Sequence, residues 1–473
     1  MKRQLICVRI LLIVFLTIAF FVKADHYYGG YITYEHINGY KYKVTVITYA
    51  NNSKEKSDRD SIQVIWGDGT KEFIQRVNNS GIGDTVFNEI KKNIYEGFHE
   101  YSDFGNYQLV FVDKYRPHGV KNIQEEKSQN TLLYIDAIVP VEDSLFFCKN
   151  NAPLFLTEPF IDGRPGDDFY LSLTHYDVDG DSLVFKLIEP KAKNSFPVPN
   201  YDFPDDVSIN SKNGLFMWKN TPSFNVKQIY AFAYEIEEYR EGKLIGVSIA
   251  DFPVQFKKNF PSKGNFSSIS GPLVQDHYHF NGPEVIDLII DYENNEADSV
   301  FIDVFSGLSL NSHFRLTNYM FSSGTKAFDT LEVNYFGEDN SQGNHIITFR
   351  AGNVYDSDTV FDYHSFSLST QSDTTWSCII PSDIRNVEEI TPIVDEFTIT
   401  PNLFNESVWI NLGDDFKNIT LEVFDMRGRR ISKVENSETN TFKIELQNLH
   451  AGMYFFRFFR NNELITVLKS VKK

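Results

Sequence analysis

Asp177, Asp179 and Asp181 occupy alternate positions around Gly180 in the run HYDVDGDSL, residues 175–183. Calcium takes six to eight hard oxygen ligands, and carboxylates spaced by two about a glycine turn can converge on one ion. The loop is not an EF-hand. Its sixth position is Ser182 rather than glycine, and its twelfth is Ile188 rather than glutamate. Asp167 and Asp168 are further ligand candidates. The alternative is that Asp-Gly-Asp makes a polar hairpin turn and nothing more. Both readings stand at the level of sequence, and calcium is the one cofactor to which the residues point.

Other pairs carry less. His277 and His279 flank Tyr278 on one strand face, a spacing zinc can use, but no cysteine or third histidine lies near them in sequence. A half-exposed aromatic strand is expected there. His99-Glu100 begins like a zinc-protease helix, yet Asp103 stands where H-E-x-x-H requires histidine. The chain has no G-x-S-x-G elbow, phosphate-binding loop, dinucleotide glycine fingerprint or cysteine–histidine nucleophile pattern. Carboxylates are too common here to mark a glycosidase pair. The expectation is a binding or display protein, not an enzyme.

The elements that must hold these residues are strands. Tyr42, Val44, Val46 and Thr48 alternate with Lys43, Thr45 and Ile47. Short runs of this kind recur throughout, separated by Asn, Asp, Gly and Ser. No long amphipathic helix is visible, so the expected fold is all-β, a tandem array of immunoglobulin-like β-sandwich domains. Abundant Phe and Tyr suit sheet cores. The 473 residues leave room for several such units. They divide as 1–24, a signal segment; 25–140 and 141–260, two sandwiches; 261–385, a sandwich of no recognised family; and 386–473, a terminal domain.

Lys2 and Arg3 precede an apolar run from Ile10 to Val22, and Val22-Lys23-Ala24 offers small residues for cleavage before Asp25. This reads as a secretory signal, too short for a convincing membrane span. No later stretch is apolar enough to span a bilayer. The formal net charge is −19. Removing the signal takes away Lys2, Arg3, Arg9 and Lys23 and no acid, so the mature chain is more acidic still. It should repel nucleic acid and anionic membrane surfaces. Cys148 and Cys378 remain after cleavage, too few for a disulfide-stapled fold; they either pair across domains or stay reduced.

Several motifs carry family resemblances. Trp66-Gly67-Asp68-Gly69, then His99 and Tyr101, then Gly105, Tyr107 and Leu109 resemble a PKD-type immunoglobulin-like repeat, although Val64-Ile65 replaces its usual aromatic and aspartate. The opening His26, Gly29 and Gly30 resembles a group of Bacteroidetes surface proteins. Asp177, Asp179, Gly180, Asp181, Leu183 and Phe185, followed by Gly214, Phe216, Trp218 and Pro222, resemble a cadherin-like module of bacterial surface proteins. Asp-Ser and Asp-Thr steps such as Ser61, Thr85, Ser182 and Thr330 resemble O-glycosylation acceptors of exported Bacteroidetes proteins.

The terminal segment resembles the type A C-terminal sorting domain of the type IX secretion system. The resemblance lies in Pro401-Asn402, the turn Val423-Phe424-Asp425 to Gly428-Arg429, the hairpin Leu449, Gly452, Tyr454 and Phe455, and the basic tail Lys469, Lys472 and Lys473. It implies transport through the periplasm and recognition by the type IX machinery. It further implies display on the outer leaflet of the outer membrane, by attachment to surface lipopolysaccharide, or release. For the passenger the expectation is a non-catalytic adhesin or structural protein whose glycan or protein ligand is not encoded in any motif. The alternative is a carbohydrate-binding accessory protein, or a polysaccharide or peptide hydrolase with its site in 261–385.

Overall fold

The computed structural model describes residues 27–370 and 398–472 apart from short stretches, the longest being 53–58, 143–148, 338–343 and 413–418. Ala24, Asp25, Cys148, Cys378, Pro401, Asn402 and Gly428 lie outside the described residues. Every long element described is a strand, and no helix among the described residues is long and apolar enough to cross a membrane. The protein is all-β, built of tandem immunoglobulin-like sandwiches.

In the first unit the opening strand Tyr27–Asn38 pairs with Lys41–Asn51, which pairs in turn with Ile90–Glu100. Its side chains serve two cores. Ile32 and Tyr34 join Val44, Trp66, Leu109 and Ile135, whereas Tyr28 and Tyr31 enter the core of the second unit beside Phe232 and Phe252. The W-G-D-G turn is a closed polar clamp. Asp68 accepts from the Thr70 amide at 2.9 Å and lies 2.7 Å from His99 Nε2, while the His99 ring stacks on Trp66 at 4.6 Å. Burial would raise the Asp68 carboxyl, but these Thr70 and His99 hydrogen bonds hold it below its usual range. His99 is therefore a strand residue that braces the turn.

The second unit is organised by Lys243–Phe256, buried along nearly its whole length. Such a continuous apolar run marks a strand covered on both faces. One edge pairs with Gln228–Arg240. The other takes Leu133–Val141 through Val247 and Ser248, and then the opening strand through Ala250 and Asp251. The units read from sequence as 25–140 and 141–260 thus share one sheet. Gly29 and Gly30 permit this approach: a Cβ on Gly29 would lie 2.1 Å from the Asp251 carbonyl oxygen, and one on Gly30 2.5 Å from that of Ile47. Arg116 locks the junction with a bidentate grip on Asp251 at 2.8 and 2.5 Å.

The third unit packs one four-stranded sheet on another, around Leu288, Ile302, Phe349 and Phe366. His277 and His279 lie on its strand His277–Phe280, hydrogen-bonded to the hydroxyls of Ser367 and Ser369 at 2.8 and 2.9 Å. Its joint to the second unit contains a neutral hydroxyl set. The hydroxyls of Ser172, Thr174, Thr348 and Ser365, all fully buried, bond one another at 2.6 to 2.9 Å.

The terminal domain sets a three-stranded sheet against a five-stranded one over Leu421, Val423, Phe456 and Phe458. Asp425 pairs with Tyr454, and Gly452 with Lys472. Lys469 and Lys472 of the basic tail therefore lie on a paired strand, Glu463–Lys472. Lys472 lies over the Phe404 ring at 5.6 Å.

Candidate cation site at the joint of the first two units

The aspartate triplet does not converge as a triplet. Asp177 folds back on its own turn, its Oδ1 accepting the amides of Asp179 at 3.0 Å and Asp181 at 2.9 Å. That arrangement is an Asx-type turn, the local preference of aspartate before glycine. Asp179 turns toward the linker, its Oδ2 staying 3.8 Å from Arg240 Nη2. It accepts the Asn151 amide at 2.7 Å and the Asn151 side chain at 3.0 Å, which ties the 149–153 linker to the turn.

Its place in the cluster is taken by Glu238. Carboxylate oxygens of Asp177, Asp181 and Glu238 lie within 4.8 Å of one another, all three residues buried. Two oxygens across a calcium ion are separated by about 4.6 to 5.2 Å, twice the usual bond length, so one ion can touch all three. Glu238 comes from Gln228–Arg240, where Phe232, Tyr234, Ile236, Glu238 and Arg240 occupy alternate positions and are all buried. Opposite it stands Gly246, whose Cβ would fall 2.1 Å from Glu238 Oε1. A bulge follows directly, since Glu238 pairs with Gly246 and Tyr239 with Leu244. Bulges re-aim side chains in this way next to functional positions.

Sequence reasoning missed Glu238. The available signal was an ionisable residue on the inward face of a strand whose preceding inward residues, Phe232, Tyr234 and Ile236, are aromatic or aliphatic.

With Asp179, whose Oδ2 lies 3.8 Å from Arg240 Nη2, four carboxylates face one guanidinium. Arg240 donates to both oxygens of Asp181 at 2.6 Å and to the Lys149 carbonyl at 2.9 Å. Asn150 donates to Glu238 Oε2 at 2.8 Å and to Tyr34 Oη at 3.0 Å. The opening strand, the linker and the second unit thus meet here. Two oxygens remain buried without a partner, Asp177 Oδ2 and Glu238 Oε1. Burial raises the carboxyls of Asp177 and Glu238 well above the usual range, reinforced by the neighbouring acids. Burial also pushes Asp181 up to about 6, against the pull of Arg240. The two orphan oxygens must hold protons or a cation. An all-oxygen donor set with no imidazole or thiolate fits a hard ion such as calcium and not zinc. Asp167 and Asp168 lie elsewhere, on a turn where Asp168 accepts the Asn220 amide at 2.9 Å.

Fold and terminal domain together define an exported, all-β protein of tandem sandwiches. Residues 398–473 match the family described as the secretion system C-terminal sorting domain. That domain implies contact with the type IX secretion machinery and export to the cell surface or the medium. No curated protein matches the chain.

Among solved structures, the chain is similar to the N-terminal eight immunoglobulin domains of Down Syndrome Cell Adhesion Molecule, at 9% identity and a TM-score of 0.18. That likeness covers 94% of this chain and 49% of that one. It is also similar to the protocadherin GammaB4 extracellular domain, at 11% identity, a TM-score of 0.17, and 93% and 60% coverage. A third is the I67–I69 fragment of titin, at 11% identity, a TM-score of 0.14, and 68% and 97% coverage. The chain spans about half the length of the first of these. Superposition this loose equates no residue of the chain with any of theirs.

Proposed function

We propose that the chain is a non-catalytic surface protein, an adhesin or structural component, whose sandwiches hold a binding face outward and whose first joint is stiffened by calcium. The observation that supports this is the pair of orphan oxygens at a joint where two units already share a sheet. A cation there ties the opening strand, the linker and the second unit at one point. The sorting domain serves as a separate folding unit that the secretion machinery reads. After transport the passenger is attached to surface lipopolysaccharide or released. Deleting 386–473 should strand the protein in the periplasm, detected by fractionation and surface labelling. Normal display of the truncated chain would refute the sorting role.

A second reading, carbohydrate binding, has its own support. A cleft of about 330 Å³ opens where the three passenger units meet, lined by Tyr31, Phe155, Phe305, Arg350, Phe361 and Tyr363 among others. Its size lies at the lower end for small-ligand pockets. Arg350 sits 4.7 and 4.4 Å from the Phe305 and Phe361 rings, and Lys92 and Glu158 pair at 2.7 Å at its wall. Apolar ring faces beside charged hydrogen-bonding groups suit a sugar ring. Binding on a glycan array, abolished by Phe361→Ala, would favour this reading, and silence with and without calcium would favour a protein ligand.

A further inference from the structure

Lys263 is a buried cation of the third unit. Its side chain is 9% exposed, and its Nζ has no hydrogen-bond partner. The Phe169 ring of the second unit covers it at 5.1 Å. The nearest anion is Asp362, itself 11% exposed, with Oδ1 4.0 Å away. A buried ammonium without a hydrogen bond is costly as a purely structural device.

The backbone on both sides of Lys263 is pinned. The Ser262 carbonyl accepts from Tyr355 Oη at 2.6 Å and from Asn294 at 3.2 Å. The Gly264 amide donates to Tyr292 Oη at 2.8 Å. Asp362 is fixed on Thr359–Thr370 by pairing with Ala351, and its Oδ1 accepts the Tyr363 amide at 3.0 Å.

We propose that Lys263 and Asp362 form an intramolecular isopeptide bond, joining Lys263 Nζ to Asp362 Cγ. The ammonium first gives one proton to the carboxylate, leaving a neutral amine and a carboxylic acid. The Nζ lone pair attacks Cγ while the Tyr363 amide polarises Oδ1. The C–OH bond then breaks, and the hydroxyl departs with a second Nζ proton as water. Amine and acid become amide and water, so no oxidant or activating reagent is required.

Three features favour the step. Burial works toward the neutral form on both sides, lowering the lysine and raising the aspartic acid. Pinned partners replace a bimolecular encounter, and the 4.0 Å between Nζ and Oδ1 is close to near-attack separations of about 3 to 3.5 Å. The aromatic cover from Phe169 keeps water from reversing the reaction.

The position also makes mechanical sense. Lys263 lies two residues before Asn265–Ser270, the first strand of the third unit, and Asp362 lies on its last strand. Those strands belong to different sheets, with no ladder between them. Tension between a C-terminal attachment and the first two units would enter through one and leave through the other. The bond closes that path covalently.

The test is peptide mass mapping of the purified full chain, which is insensitive to processing at either end. The expected result is a branched peptide joining the segments around 263 and 362, lighter by one water than their sum. Lys263→Arg keeps the positive charge and should release both peptides at full mass. Asp362→Asn should still join them, now with loss of ammonia. Separate, unmodified peptides from folded wild-type protein, its fold checked by circular dichroism, would overturn the proposal.

Discussion

The two joints of the passenger solve one packing problem with opposite chemistry. Between the first and second units lie charges: Arg116 on Asp251, Arg240 on Asp181, and the undercompensated pair Asp177 and Glu238. Within the contact between the second and third lies a set of four neutral hydroxyls, each satisfied by its neighbours. A closed hydroxyl set asks nothing of the solvent. A buried cluster with surplus negative charge needs protons or a cation, so its stability depends on both. The carboxylate cluster, unlike the hydroxyl set, can respond to conditions outside the cell.

The largest effect should come from Arg116→Ala. It leaves Asp251 buried and unpaired against the shared sheet. Losing one partner of such a pair costs about 3 to 5 kcal/mol, readable by urea unfolding. A change below about 1 kcal/mol would mean that water reaches Asp251 and the joint is looser than drawn.

Glu238→Gln comes next and sharpens the contrast. Calcium at a hundred times its dissociation constant should stabilise the wild type by about 2.7 kcal/mol. The variant should lose that response. The sign with pH follows from the raised carboxyls. The folded chain keeps protons that the unfolded chain gives up above about pH 4. The contribution of these two groups to metal-free stability is therefore fully present below that range and falls as pH rises toward neutrality. Calcium displaces those protons, so its effect grows with pH. Melting curves at several pH values, with calcium or chelator, read both trends. A calcium-independent melting temperature at pH 8 would sink the cation site.

Thr348→Val should do least. It removes one hydroxyl from the neutral quartet while Ser172 still bonds Thr174 and Ser365, a loss of about 1 kcal/mol. That loss should be the same with or without calcium. Any calcium dependence would mean that the two joints are coupled.

Much of this was legible in residue order. Alternation marked the strands, the glycine-rich turns marked their ends, and the terminal motifs marked the sorting domain, because each depends on neighbours within a few positions. The site was half legible. Asp177 and Asp181 are brought together by their own turn, but Asp179 is drawn off by Asn151 from the linker.

Sequence by itself determined an all-β, exported chain with a sorting domain and an acidic turn worth inspecting. Only the tertiary structure decided that Glu238 completes the cluster, that the first two units share a sheet, and that Lys263 faces Asp362. The reason is distance along the chain. Local patterns record which face of a strand is buried, whereas which buried groups meet depends on strand pairings between residues far apart in sequence.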